Sequence, residues 1–307
     1  MLQVAIMVEG QAGLNWTRWQ RLARAVQDLG FVGLYRSDHF TNSNPPDIDS
    51  LELWVSLTWL AANTQRLQFG PLVTPFSFRD PVFTARMALA VDDLSGGRLT
   101  LGLGAGWQRR EHHLFGYDLL DEPARFRRCE EGLQVVKGLL RSDTPISFAG
   151  EFYRLSEAIL LPRPARPGGP PILVGGSGPR RTLPMVVRHA TEWNATFLTP
   201  AVYAERNARL DHLLREAGRA PGDVRRSLMT GLFFGREAAE VARKLGDRTP
   251  ADARARGLVC GTPPEIVDQL GALAEAGVQR IMLQWMALDD LDGLEAFANT
   301  VLPQVHH

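Results

Sequence analysis

Residues 66–106 read RLQFGPLVTPFSFRDPVFTARMALAVDDLSGGRLTLGLGAG, and the order of patterns in this stretch decides the fold. It begins with a β-rich apolar run at 66–75 and continues with a helical pattern at 80–97. It closes with a second β-rich run at 98–106. A strand, a helix and a strand in this order form the repeating unit of a parallel sheet covered by helices. The stretch therefore predicts an α/β fold.

The same alternation of strand and helix continues on both sides of this stretch. The predicted strands lie at 2–8, 33–39, 66–75, 98–106, 171–176, 192–198, 225–235 and 280–286. The stretch 144–171 is rich in Pro and Gly with alternating aromatics, which predicts a hairpin and loop inserted before strand five. Eight strand–helix units close a (β/α)₈ TIM barrel. We therefore expect residues 1–307 to form one barrel domain.

Composition narrows the function. Lys plus Arg and Asp plus Glu both total 34 in the 307 residues, so no net field favours nucleic acid or anionic lipid. The N-terminal MLQVAIMVEG has no basic leader, and no apolar run reaches the roughly 20 residues of a membrane span. Cys129 and Cys260 are far apart, which is typical of buried thiols in a reducing compartment. We expect a cytoplasmic protein that acts on small molecules.

Active sites of such barrels lie at the carboxyl ends of the strands, so polar residues just after each apolar run are candidates. These residues are Glu9, Ser37, Asp38, His39 and Thr74, the segment GLGAGWQRREHHLFG at 102–116, GGSGPRR at 175–181, EWN at 192–194 and QWM at 284–286. Three glycines within 102–106 mark a crowded place. Glycine-rich and aromatic rims together suggest a flat, phosphorylated ligand.

Two ion-binding sites are conceivable at these strand ends. Gly175, Gly176, Ser177 and Gly178 stand between a strand and a helix start, where free N–H groups and the helix dipole favour a phosphate. A glycine-rich turn with a serine cap is the alternative. Adjacent histidines on a helix point about 100° apart and no HExxH spacing occurs, so we predict no metal at His112 and His113.

Several motifs resemble those of the luciferase-like monooxygenase superfamily, and within it the branch that uses the deazaflavin coenzyme F420. The resemblance runs from Val4 to about Gln284 and is most specific between Gly70 and Gly116. It lies in SDHF, in LVTPFSFRDPVFTARMALAVDDLSGGRLTLGLGAGWQRREHHLFG, in PPILVGGSG and in CGTPPEIVDQL.

The resemblance implies a TIM barrel with the cofactor ring in its mouth and the phosphate-bearing tail at GGSG, a role assigned to Gly175, Gly176, Ser177 and Gly178. It implies a non-prolyl cis peptide at Pro71–Leu72, or one bond later, in a bulge behind the ring. The ring-side residues it implies are Asp38, Pro71, Leu72, Val73, Thr74, Gly106, Trp107 and Arg110. The glycines of GLGAG would admit the ring edge, and Glu111 would anchor a loop. A homodimer is also implied.

Asp38 and His39 match the pair that faces the reactive edge of the ring, so the resemblance implies that both are catalytic. A histidine can move a proton near neutral pH. An alternative is that His39 only caps the following loop. The deazaflavin sugar-phosphate and alcohol dehydrogenases carry Trp and Glu where Ser43 and Trp107 stand here, so the resemblance does not by itself imply their alcohol chemistry.

Three functions follow from the sequence. The first is an oxidoreductase that transfers hydride between F420 and a small organic substrate. The second is a monooxygenase that uses reduced FMN and O₂, and the third is a flavin-binding protein without catalysis.

Overall fold

The structure, a computed structural model, describes residues 2–305. Its strands are β1 (Gln3–Val8), β2 (Gly33–Arg36), β3 (Gln68–Pro71), β4 (Thr74–Pro75), β5 (Leu101–Gly104), β6 (Ile146–Ala149), β7 (Arg154–Ala158), β8 (Ile172–Gly175), β9 (Glu192–Thr196), β10 (Arg225–Phe234), β11 (Val259–Gly261) and β12 (Arg280–Gln284).

The helices that connect these strands are α1 (Trp16–Asp28), α2 (Leu53–Asn63), α3 (Pro81–Leu94), α4 (Arg109–Phe115), α5 (Glu122–Arg141), α6 (Thr182–His189), α7 (Pro200–Glu216), α8 (Ala238–Leu245), α9 (Pro250–Ala255), α10 (Pro263–Glu275) and α11 (Leu291–Val305). None of these helices has the length and apolar composition that a membrane span requires.

The main sheet is a nearly closed parallel barrel. Its strand order is β3-β2-β1-β12-β10-β9-β8-β5-β4, with β11 paired to β10. Strands β3 and β4 are the two halves of the third predicted strand, interrupted at Leu72 and Val73. A bridge between Phe69 and Leu99 on one half, and the pairing of Thr74 with Leu103 on the other, close the barrel. The predicted TIM barrel is confirmed.

The inserted hairpin before the fifth predicted strand is also present. Strands β6 and β7 pair antiparallel outside the barrel. The carboxylate of Glu131 on α5 accepts hydrogen bonds from the backbone N–H groups of Glu151, Phe152 and Tyr153 at 2.8, 2.9 and 3.2 Å. This carboxylate fixes the turn that joins β6 to β7.

Local capping sets where several helices begin. Asp80 precedes Pro81, and its carboxylate accepts from the N–H groups of Val82 and Phe83 at 2.9 and 3.0 Å. Pro81 fits the first turn because its missing N–H has no partner to lose there. This polar start of α3 follows directly on β4, so it orients the third strand–helix connection.

Two buried layers fill the barrel. Its interior holds a small apolar cluster of Ala5, Met7, Tyr35, Leu72, Leu173, Met229 and Met282. Below it, at the amino ends of the strands, lies the fully buried Arg280, which donates to Tyr35 Oη at 2.8 Å and to Glu192 Oε2 at 3.2 Å. A buried guanidinium needs such partners. The lower barrel is therefore filled, and open space remains at the carboxyl ends.

Candidate active site

A cavity of about 700 Å³ opens at the carboxyl ends of the barrel strands. Its wall combines an apolar side with a polar side. The apolar side comprises Leu72, Val73, Pro75, Ala105, Trp107, Phe126, Val174, Met185, Phe197 and Met229; the polar side includes Glu9, Gln11, Ser37, His39, Ser43, Glu111, Asn194, Thr196 and Gln284. A cavity of this size and mixed lining is typical of a small-molecule site.

Most of the residues predicted for the site line this cavity. They are His39, Leu72, Val73, Gly106, Trp107, Gly175, Gly176, Ser177 and Gly178. Four predicted residues, Asp38, Pro71, Thr74 and Arg110, do not line it. The predicted strand ends therefore share one cavity, and the neighbours of each remaining side chain explain the four exceptions below.

The bulge between β3 and β4 forms the apolar wall. The Leu72–Val73 peptide bond is cis, one bond beyond Pro71–Leu72. Pro71 belongs to β3 and pairs with Arg36 of β2, so it lies in the sheet behind the wall. A Cβ on Gly102 would lie 2.1 Å from the Pro71 carbonyl oxygen, and one on Gly104 would lie 2.5 Å from Val73 Cγ2. These two glycines leave room for the bulge, which explains why the segment GLGAG is rich in glycine.

We expect Gly102→Ala to destabilise the fold. An added methyl group would overlap backbone atoms that cannot rotate away, and overpacking typically costs about 1–3 kcal/mol or more. The free energy of unfolding, measured in urea, should fall by at least about 2 kcal/mol. Gly271→Ala is the matched control, because a Cβ there would meet no atom within 4 Å. Equal stability of the two variants would contradict the packing role.

The imidazole of His39 is held from behind by Glu111. His39 Nδ1 lies 2.9 and 3.1 Å from the two Glu111 carboxylate oxygens, and Oε2 also accepts from the N–H of Phe40 at 3.0 Å. A carboxylate only accepts, so Nδ1 carries the hydrogen and Nε2 is left for a ligand. Trp107 packs edge-on against the imidazole, with 5.6 Å between the two ring centroids. Glu111 thus anchors the loop, as predicted, and also orients the histidine.

The same contact sets the charge of His39. Burial favours the neutral ring and by itself lowers the pKa of His39. The hydrogen bond and charge of Glu111, together with the charges of Glu9 and Asp38, outweigh it, so the pKa lies above its ordinary 6.5. The imidazole is therefore suited to gain and lose a proton near neutral pH.

We expect Glu111→Gln to move the ionisation of His39 to lower pH. The amide keeps the shape of the side chain but removes the charge that raises the pKa, so burial dominates. In a carbon-13 NMR titration of labelled histidine, the midpoint of His39 should fall. As the pH is raised, any activity that depends on the protonated ring should therefore decline at a lower pH than in the wild-type protein. A midpoint that stays or rises would contradict this arrangement.

Asp38 does not reach the cavity, contrary to its predicted place at the cofactor ring. Its carboxylate accepts two hydrogen bonds from the guanidinium of Arg79, at 2.6 and 2.9 Å, and one from Thr74 Oγ1 at 3.1 Å. Thr74 is fully buried, and it too lies outside the wall because its hydroxyl is bound to Asp38. Arg79 also donates to Glu52 at 2.8 Å. The Asp38–Arg79 pair braces the loop after β2 against the start of α3.

We therefore expect Asp38→Asn to act on stability more than on chemistry. Removing one partner of a buried ion pair costs about 3 kcal/mol or more, and Glu52 limits the loss here. The free energy of unfolding should therefore fall by about 3 kcal/mol. Turnover per folded molecule should stay within about tenfold of the wild-type value, a smaller change than the loss of an acid–base group causes. A hundredfold loss of turnover in a stable Asp38→Asn protein would restore Asp38 as a catalytic group.

Arg110 is also displaced from its predicted place beside the ring. Its guanidinium donates to both carboxylate oxygens of Asp47 at 2.7 and 2.6 Å and to the carbonyl of Asn42 at 3.0 Å. These contacts tie α4 to the loop that follows His39. Within residues 2–305, no three His, Cys, Asp or Glu side chains are grouped as metal ligands.

The loop after β8 forms one end of the cavity. Gly176 has φ +129°, and Ser177 Oγ accepts from the N–H of Thr196 at 3.0 Å. The N–H groups of Ser177 and Gly178 make no hydrogen bond to another residue of the described range 2–305. Helix α6 starts at Thr182 without a side-chain cap. The backbone of this loop can therefore donate to an anion, whereas the Ser177 hydroxyl is already bound to β9.

The polar side of the cavity contains a network for which the sequence suggested no role. Glu9 Oε1 accepts from Gln284 Nε2 at 2.6 Å, and Oε2 accepts from Gln11 Nε2 at 2.9 Å. Gln11 in turn accepts from Ser37 Oγ at 2.9 Å. Glu9 and Gln284 follow the strand-end rule, but Gln11 lies in the loop beyond β1. Its contribution depends on contacts between β1, β2 and β12.

Comparison with known families agrees with this architecture. Residues 1–251 match the family model described as luciferase-like monooxygenase. The chain belongs to this family. The match covers most of the chain, and the family predicted from the sequence motifs is confirmed.

Relatives of this luciferase-like chain fall into two groups. It is 30% identical to 4-hydroxyprotoasukamycin monooxygenase of Streptomyces nodosus subsp. asukaensis, over 66% of this chain and 52% of that protein. It is also 30% identical to the FMNH₂-dependent dimethylsulfone monooxygenase of Pseudomonas putida, over 52% of this chain and 43% of that protein. The chain thus spans about half the length of these monooxygenases. It is 25% identical to the F420-dependent glucose-6-phosphate dehydrogenase of Amycolatopsis mediterranei, over 91% of this chain and 92% of that protein.

Solved structures show the same division. An F420-dependent secondary alcohol dehydrogenase in complex with an F420–acetone adduct superposes with a TM-score of 0.86 at 18% identity, covering 99% of each chain. A long-chain alkane monooxygenase, LadA, superposes with a TM-score of 0.81 at 15% identity, covering 99% of this chain and 91% of its own. At such identities these structures show the shared fold. The luciferase-like family thus includes relatives with either cofactor.

Proposed function

We propose that this luciferase-like enzyme uses the deazaflavin F420 to transfer hydride to or from a small organic substrate. The observation that carries the proposal is the open cavity at the barrel mouth, where one wall presents His39 Nε2, another is the apolar bulge and a third is a loop of free N–H groups. The F420-dependent glucose-6-phosphate dehydrogenases match over nine-tenths of the chain, which favours the deazaflavin over FMN.

The residues present fit such a cofactor. The side chains of Leu72 and Val73 offer an apolar surface, and the unpaired N–H groups at Ser177 and Gly178 would hold the phosphate. A bound deazaflavin supplies a ring carbon that accepts or releases hydride. Both cofactors carry a phosphate, so this loop suits either one.

His39 is the group in this cavity suited to proton transfer. Glu111 fixes the hydrogen on Nδ1, so Nε2 accepts a proton from a substrate hydroxyl in the oxidative direction and returns it to a carbonyl oxygen in the reductive direction. The proton on Nε2 is stabilised by the adjacent Glu111 carboxylate. Glu111 is therefore a positioning residue and His39 the catalytic one.

An FMN-dependent monooxygenase is the second candidate. The 30% identity to two monooxygenases favours it, although the matches cover only 52% and 43% of those longer proteins. A flavin-binding protein without catalysis is the third, and the open cavity of about 700 Å³ with a polarised histidine argues against it.

Oxygen dependence separates the first two candidates. Reduced F420 should be oxidised by the protein in the absence of O₂ when a panel of small carbonyl compounds is supplied, as followed by deazaflavin absorbance. A His39→Asn protein is the matched control. Substrate oxygenation that requires reduced FMN and O₂, with no anaerobic turnover, would favour the second candidate.

We also propose that the protein is a cytoplasmic homodimer. Helices α2 and α3 pack side by side and expose Val55, Val82 and Phe83, with Phe83 66% accessible. Such a patch is typical of an interface. Cys129 and Cys260 are free and buried, as in a reducing compartment. Light scattering should give twice the monomer mass, and Phe83→Lys should shift it toward the monomer.

A further inference from the structure

The carboxylates that face the candidate cavity have no lysine or arginine beside them on its described wall. Within residues 2–305, the residues lining it include the carboxylates of Glu9 and Glu111 but no Lys or Arg. His39 can carry one positive charge, and it does so in contact with Glu111. Glu9 is then left without a cationic partner, because its two hydrogen-bond donors, Gln284 and Gln11, are neutral amides.

The nearby cations are bound by other groups. The buried guanidinium of Arg36 interacts with the charge of Glu9, but it donates to Ser56 Oγ and to the backbone carbonyl of Glu52. Arg79 is bound by Asp38 and Glu52, and Arg110 is bound by Asp47. Arg181 follows the loop 175–178, here named the phosphate loop, and it pairs with Glu122 and lies over the ring of Phe126. None of these guanidinium groups is part of the cavity wall, so none of them forms an ion pair with Glu9 there.

Glu9 is oriented for a ligand. Each of its carboxylate oxygens accepts one hydrogen bond and retains further acceptor capacity. A carboxylate has no hydrogen to donate, so it attracts hydroxyl, amide or ammonium donors and repels a second carboxylate or a phosphate. The amides of Gln284 and Gln11 hold it in place without reducing its charge.

We propose that the substrate of this site is uncharged or cationic, carries a hydrogen-bond donor and has no anionic group, and that Glu9 is the residue that excludes anions. This inference rests on the proposed function for the existence of a substrate. It separates the chain from relatives named for a sugar phosphate, since the free N–H groups of Ser177 and Gly178 are assigned to the cofactor phosphate and the described wall offers no lysine or arginine for a second one.

The sign of the electrostatic potential in the cavity can be measured without a substrate or a cofactor. Ser43 lines the cavity and is exposed, whereas both natural cysteines are buried, and burial raises the pKa of Cys129 to about 12. In a Ser43→Cys protein, the new thiol reacts with methanethiosulfonates that carry a trimethylammonium or a sulfonate group. A neutral methyl reagent corrects for intrinsic thiol reactivity, and 2-mercaptoethanol gives the reference ratio.

The cationic reagent should react faster than the anionic one by about 3- to 10-fold relative to free thiol, and Glu9→Gln should bring the ratio closer to that of free thiol. Ser147→Cys, on the hairpin, is the matched control whose ratio should not respond to Glu9→Gln. If the double variant does not fold, added salt should lower the Ser43→Cys ratio instead.

The inference would be overturned if the anionic reagent reacts as fast as the cationic one. It would also be overturned if the ratio of the two rates changes neither with Glu9→Gln nor with added salt. The outcome is independent of the proposed function. Absence of turnover with both cofactors would reject the enzyme, while the reagent ratio would still report the sign of the cavity. Efficient turnover of a carboxylate or phosphate substrate, in contrast, would reject the substrate class and support the enzyme.

Discussion

Replacement of His39 with asparagine is expected to reduce turnover by about 10²–10⁴-fold, the range for loss of a general acid–base group. The side chain presents Nε2 to the cavity because Nδ1 is bound by Glu111 at 2.9 Å. Asparagine keeps a polar group near the loop but cannot exchange a proton near neutral pH. Cofactor affinity should change little, since the bulge and the phosphate loop are untouched.

The control for this prediction is another histidine. His113 lies on α4, is exposed and does not line the cavity, so His113→Asn should keep normal turnover. Single-turnover measurements with saturating cofactor separate chemistry from binding. If His39→Asn loses its cofactor but turns over normally once loaded, His39 is a binding residue and the catalytic assignment is wrong.

The second large effect is expected at the phosphate loop. Gly178→Val would place a branched side chain next to Thr182 Oγ1, which lies 3.3 Å from the position of a Cβ, at the face where N–H groups are free. A hydrogen bond to a charged group is worth about 1.5–3 kcal/mol, so the affinity for a phosphorylated cofactor should fall by about 10- to 150-fold. Gly176 suits this test less well, because its φ of +129° strains any other residue.

Specificity for phosphate follows from comparing cofactors with and without it. The wild-type protein should bind FMN more tightly than riboflavin, and F420 more tightly than its phosphate-free chromophore. Gly178→Val should remove most of each preference, whereas Gly271→Val, on the exposed side of α10, should leave both intact. Equal loss of affinity for the phosphate-free forms would mean that the substitution disturbs the cavity in general.

The barrel was accessible from sequence because its strands are long enough to show their apolar character. All eight predicted runs contain a barrel strand. Strand β11, Val259–Gly261, was not predicted, since three residues ending in a glycine give no periodic signal. The break in the third strand was expected from the family resemblance, because neither propensity nor periodicity marks Leu72 and Val73.

The site was predictable to the level of the strand end but not of the side chain. Asp38 and His39 are adjacent, yet His39 faces the cavity while Asp38 is held by Arg79, which lies 41 residues further along the chain. Arg110 is held in the same way by Asp47. Long-range ion pairs of this kind leave no local pattern, so sequence alone cannot tell a bound charge from a free one.

A side-by-side binding titration of F420 and FMN shows whether the barrel mouth holds a deazaflavin. The protein is titrated with each cofactor under identical conditions, following ligand fluorescence, with Gly178→Val as the control for binding outside the phosphate loop. Saturable binding that is at least tenfold tighter for F420, and weakened in the variant, is the expected result. Tighter binding of FMN, or no binding of either cofactor, would contradict the claim.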